Sequence, residues 1–115
     1  MRPTRIVLSR RAGFDLQAVS HAINGLSAHS VARPGPWGNP FSIDAVVEET
    51  GLDRAAAQAA AVARHARWMR GEIEPDRARP SVEKIRAELG GKNLACWCHE
   101  GTPCHVETLI KLAND

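Results

Sequence analysis

The chain has 115 residues, room for one domain around one modest hydrophobic core and not for two catalytic domains. With 43% hydrophobic and 24% charged residues, the composition excludes both a disordered tail and a fibrous repeat. A formal net charge of +2 excludes a protein that coats nucleic acid by charge alone, while leaving nucleic acid open as a partner.

Thr4 to Leu8 is short and β-branched, and Arg10 and Arg11 follow at once, so it reads as a buried strand ending in a basic loop. Asp15 caps a short helix over Leu16 to Ile23, stopped by Asn24 and Gly25. A second strand falls at His29 to Ala32 and runs into Arg33, Pro34, Gly35, Pro36, Trp37, Gly38, Asn39, Pro40 and Phe41. Three prolines and two glycines within residues 34–41 forbid regular structure there. A short helix is expected at Ile43 to Glu49.

The run Asp53 to Arg70 is the strongest helix, with an aspartate N-cap, seven alanines in the next eleven positions and Gly71 as its stop. Its packing face is read as Val62, Ala66 and Met69 with Ala59 beside them, and Arg64, Arg67 and Arg70 as a solvated stripe. His65 and Trp68 are read as partial core. Glu72 to Pro80 is a charged surface connection. Ser81 caps a helix carrying Val82, Ile85 and Leu89, Asn93 to Cys98 is a third strand, and a last helix runs from Cys104 to about Leu112.

Strands separated by helices predict an α/β fold: one domain over residues 1–115, with a mostly parallel sheet of about three strands flanked by helices. In such sheets ligands bind at the carboxyl ends of the strands. Parallel pairing would bring Arg10 and Arg11, the Arg33 to Phe41 loop and the cysteine segment to one side. The charge is uneven in the same sense: residues 1–40 carry five arginines and one aspartate, net +4, against ten positive and twelve negative groups, net −2, in the remainder.

All three cysteines lie between Cys96 and Cys104. The chain has neither an apolar run of ~18 residues nor a signal-peptide pattern, so it reads as cytoplasmic with no membrane partner. An odd number of cysteines in that setting argues against a disulfide framework. On a strand Cys96 and Cys98 point to one face and Trp97 to the other, while Cys104 and His105 open the next helix, where the positive helix end favours thiolate. Zinc on three cysteines and His105 has the right ligand types and number. A one-residue gap on a straight strand followed by two adjacent ligands makes an awkward tetrahedron, so no metal is assigned and no cofactor is named. A reactive thiol, with Cys104 as nucleophile and His99 or His105 as base, is a second reading. Small buried residues at a strand end are a third.

In the loop, Arg33 offers a planar fork for phosphate or carboxylate, and Trp37 an indole for stacking on a base. Asn39 offers a hydrogen-bonding amide, and Gly38 stands beside it as a ligand-binding candidate. Against this stands a structural reading, in which Trp37 and Phe41 plug the core and Asn39 closes its own turn.

These residues carry a family resemblance. The combination of the ARPGPWGNPF loop and GKNLACWCHEGTPCHVETLIKLAN resembles the bacterial and phage family called domain of unknown function 4326, from about Thr4 to Asn114. The matching positions are Arg33, Pro34, Trp37, Gly38, Asn39, Pro40 and Phe41, then Lys92, Leu94, Cys96, Trp97, Cys98, Cys104 and His105. A fainter likeness in the Cys96 to His105 spacing links it to domain of unknown function 488, which looks like a compact α/β domain. Neither resemblance implies a substrate. The segment Phe14 to Ser30 is longer than the link such sequences have there and is read as an elaboration of the site rim.

The functional expectation is a pocket at the strand carboxyl ends for a nucleotide, nucleic-acid base or similar phosphate-bearing ligand, with hydrolase or transferase chemistry open. Arg10, Arg11 and Arg33 would meet the anion, Trp37 would stack, Gly38 and Asn39 would shape and bond the ligand, and Cys96 and Cys98 would form the opposite wall. Cys104 and His105 would act directly in any catalysis. The alternative is a zinc-stabilised module that binds protein or nucleic acid without catalysis.

Overall fold

The computed structural model describes residues 2–33 and 35–115. Eight elements follow one another: β1 (Arg5–Val7), α1 (Leu16–Asn24), β2 (Ala28–Ser30), α2 (Ile43–Thr50), α3 (Arg54–Met69), α4 (Val82–Leu89), β3 (Asn93–Cys96) and α5 (Val106–Asn114). The expected α/β architecture holds, with three strands in the order β1, β3, β2, all parallel. Strand β3 is central because every residue of Asn93–Cys96 is buried, as a strand covered on both faces and both edges must be.

Side-chain alternation along β3 divides the core. Leu94 and Cys96 face a large cluster with Trp68 and Met69 of α3, Ile85 and Leu89 of α4, and Val106 and Leu109 of α5. Ala95 faces the other side, where Ile6, Ala28, Leu16 and Val19 meet under α1. The caps are those the sequence names: Asp15, Asp53 and Ser81 accept from the amides of Ala18, Ala56 and Lys84.

Four local expectations are corrected. Strand β3 stops at Cys96 rather than Cys98, and α5 starts at Val106 rather than Cys104. The buried face of α3 is Ala57, Ala61, His65, Trp68 and Met69, because its alanines pack on α2 and leave the two large rings to the sheet side. Ala59 is exposed and Val62 and Ala66 only half-buried. The segment Phe14 to Ser30 is no rim: it supplies α1 and one of the three strands. Its Ser20 and Asn24 bond the fully buried Asn93, whose Oδ1 also accepts from the Thr4 amide, at the amino ends of the strands. Within the described residues no helix is long and apolar enough to cross a membrane.

Candidate functional site at the strand carboxyl ends

Parallel pairing puts Val7 beside Cys96 and Ser30 beside Ala95, so the three strands do end together. The ladder extends one step further on each side, with the Leu8 amide donating to Cys96 at 2.8 Å and the Val31 amide to Ala95 at 2.9 Å. Beyond these ends lies a cavity of about 270 Å³, lined among others by Arg33, Asn39, Gln58, Cys98, Trp97 and His105. Phe41, Ile43, Ala61 and Val62 form its apolar wall.

Arg33 enters this cavity from the loop after β2 and is exposed. Asp44, whose carboxyl feels the Arg33 charge weakly, is paired with Arg54 at 2.5 Å. Gly38 explains why the stem of Arg33 is fixed: a Cβ on Gly38 would lie 2.4 Å from Arg33 Cγ. Asn39 lines the cavity but has its amide committed, Nδ2 donating to Ala61 O at 3.1 Å and Oδ1 accepting from the Phe41 amide at 2.9 Å. That is the turn role, extended by an anchor to α3. Pro34, a member of the first motif, lies outside the described residues.

Five expected positions are outside the cavity lining: Trp37, Arg10, Arg11, Gly38 and Cys104. Trp37 is 4% exposed and packs in the main core, so its faces are not open for stacking. The available indole is Trp97, 43% exposed and lining the cavity. Arg10 reaches the site only through it, its guanidinium carbon 4.3 Å from the Trp97 ring centroid. Arg11 is exposed and outside the lining. The stripe on α3 is a solvated, paired face: Arg64 meets Glu49, and Arg67 and Arg70 share Glu72.

The cysteines do converge. The sulfurs of Cys96, Cys98 and Cys104 all lie within 4.8 Å of one another, and Cys96 Sγ is 2.8 Å from Cys104 Sγ. Cys104, the expected nucleophile, is buried and outside the cavity lining, and it precedes the helix rather than opening it. Its thiol is pushed up by Cys96 and Cys98 and by burial. The half-buried Cys98 is pulled down by the hydrogen-bonding thiols of Cys104 and Cys96, and by the charge of Arg5. Cys96, although bonded by Cys104 in the lowering sense, is raised on balance by Cys98 and burial.

His105 Nε2 donates to Val31 O at 2.9 Å, and burial holds the ring below its ordinary pKa, hence neutral. Its Nδ1 is then an unprotonated acceptor, 3.8 Å from Cys104 Sγ. The ring of His65 on α3 packs edge-on against it, with centroids 5.2 Å apart.

Arg5 and Gln58 complete the surroundings. Arg5 Nη1 donates to Thr102 O at 2.7 Å and Nη2 to the carbonyl of His99, so β1 ties down the loop after β3. Gln58 holds Pro103 O at 2.7 Å from the α3 side. The signals for both were weak: an arginine inside a β-branched strand, and the one uncharged polar residue in an alanine run. A larger groove of about 790 Å³ runs along β1, but the cation on it, Arg5, is spent on that loop.

Comparison with curated proteins and with solved structures found no match to this chain. Residues 18–115 match the family described as Domain of unknown function (DUF4326), and the chain belongs to that family.

Proposed function

We propose that the domain binds a small phosphate-bearing ligand with a ring, of nucleotide or nucleobase class, in the cavity at the strand carboxyl ends. The observation that carries this is the exposed Arg33 guanidinium held over an otherwise largely apolar cavity. A planar fork with no carboxylate partner among the described residues suits a doubly hydrogen-bonded anion. Trp97 and the wall of Phe41, Ile43 and Val62 suit the ring. The volume, about 270 Å³, sits at the small end of ligand sites and takes one ring with its anion rather than a strand of nucleic acid.

Calorimetric titration of the whole chain with nucleoside monophosphates and with inorganic phosphate tests the reading. Arg33→Gln removes a charge-assisted pair and should weaken binding by about 10-fold or more. Unchanged affinity in Arg33→Gln, or no binding by the parent chain, contradicts it.

A further inference from the structure

Sequence spacing counts against a metal because it places Cys96 and Cys98 on a straight strand and Cys104 and His105 inside a helix. Neither placement holds. The strand ends at Cys96 and the chain bends through Trp97 and Cys98, so the sulfur of Cys98 is free of strand geometry. The helix begins at Val106, and Cys104 and His105 precede it, with no capping bond drawing on the His105 side chain. With both corrections the three sulfurs converge, and His105 lies beside Cys104.

We propose that Cys96, Cys98, Cys104 and His105 together hold one soft divalent cation of the zinc class. Three sulfurs within 4.8 Å of one another have the span of a tetrahedral face, whose edge is about 3.8 Å for Zn–S bonds of about 2.3 Å. Cys96 and Cys104, at 2.8 Å, need to part by only about 1 Å to take that edge. The fourth donor is His105 Nδ1. It stands 3.8 Å from Cys104 Sγ, an edge length from that vertex, but outside the 4.8 Å span that the three sulfurs share, so the imidazole has to move inward to close the tetrahedron.

Its tautomer is set in advance: the proton is on Nε2, committed to Val31 O. A backbone carbonyl that takes the far N–H of a histidine is the usual outer partner of a metal-bound imidazole. Three thiolates on a divalent ion leave one net negative charge in a mostly buried place. Arg5, which also pairs with Glu107 at 3.0 Å, stands beside it, its guanidinium donating to His99 O and lying 3.4 Å from Cys98 O. Binding would release the thiol protons and fasten the end of β3 to the start of α5.

The donor set is soft, with three sulfurs and one imidazole, which selects zinc over magnesium or calcium. The site shares Cys96, Cys98 and His105 with the lining of the cavity that Arg33 enters, but it does not rest on the Arg33 reading, and Co2+ uptake and nucleotide binding are measured independently.

The test is Co2+ titration of the reduced, metal-free full chain, followed by displacement with Zn2+. One ion per chain, with intense thiolate-to-cobalt absorption and tetrahedral d–d bands, is expected. Cys98→Ser, at the most accessible ligand, should weaken binding by at least about 10-fold. Arg5→Gln keeps all four ligands and should cost about 10- to 100-fold. Its circular dichroism reports separately that the chain is folded. The proposal is overturned if the folded, reduced chain takes up no ion. It is equally overturned if Cys98→Ser binds as tightly as the parent, or if chain alkylated at lysis carries a Cys96 to Cys104 disulfide.

Discussion

His105 Nε2 bonds Val31 O over 2.9 Å, fastening the start of α5 to the end of β2 across 74 positions of sequence. Both residues are buried. His105→Phe would leave that carbonyl without its partner, and an orphaned buried acceptor costs about 1–3 kcal/mol. Urea unfolding of metal-free protein should show that loss. A midpoint equal to the parent's would mean that the bond contributes nothing net.

Gly38 is needed for the room it leaves to Arg33. Gly38→Ala places a methyl group 2.4 Å from Arg33 Cγ and 3.1 Å from Arg33 Cα, and the backbone contact cannot rotate away. We expect about 1–3 kcal/mol of destabilisation from overpacking. Ligand affinity at the cavity should fall with it, as seen by paired unfolding and calorimetric measurements.

The two tryptophans of the motifs should behave oppositely. Trp37→Ala removes a core indole and should cost about 3–5 kcal/mol. Trp97→Ala, at an exposed position, should change stability by about 0.5 kcal/mol or less. It should still lower affinity for a ring-bearing ligand by about 1–3 kcal/mol if the ring stacks there.

Burial and the neighbouring His105 hold the pKa of His65 down to about 3, and its Nδ1 has no hydrogen-bond partner among the described residues. The unfolded chain takes up this proton near pH 6.5, the folded chain only near 3, so the unfolded state binds more protons between the two. Stability should be complete above about pH 6.5 and fall by up to about 1.4 kcal/mol per unit as the pH drops through that window. His65→Met fills the place with an adaptable apolar chain that does not titrate. Its pH slope should be the shallower by this amount; equal slopes would contradict the assignment.

Much of the fold could be read from residue pattern, because caps and stops are local. Asp15, Asp53 and Ser81 begin helices by bonding amides three positions on, and Gly25 and Gly51 end them in the left-handed conformation. Errors came where tertiary contact decides. The face of α3 was misplaced because alanine carries no directional signal, and only packing against α2 shows which alanines are inside.

The chemistry of Arg33, Cys98 and His105 singles them out in the sequence, and the parallel sheet brings all three to the lining of one cavity. Trp37 and Trp97 exchanged roles because each sits in a loop whose course no periodicity describes. The role of Arg5 is not legible because its partners, the carbonyls of His99 and Thr102 and the Glu107 carboxylate, lie 94 to 102 positions away.

The claim common to these results is that ligand recognition occurs at the carboxyl ends of the strands. Amide NMR of the 15N-labelled chain titrated with a nucleoside monophosphate tests it most directly. Shifts should concentrate at Ala32 and Arg33, Asn39, Phe41 to Ile43, Gln58 to Val62, Cys96 to Cys98, and Cys104 and His105. Shifts confined to the β1 groove or to the arginine face of α3, or no shifts at millimolar ligand, would contradict it.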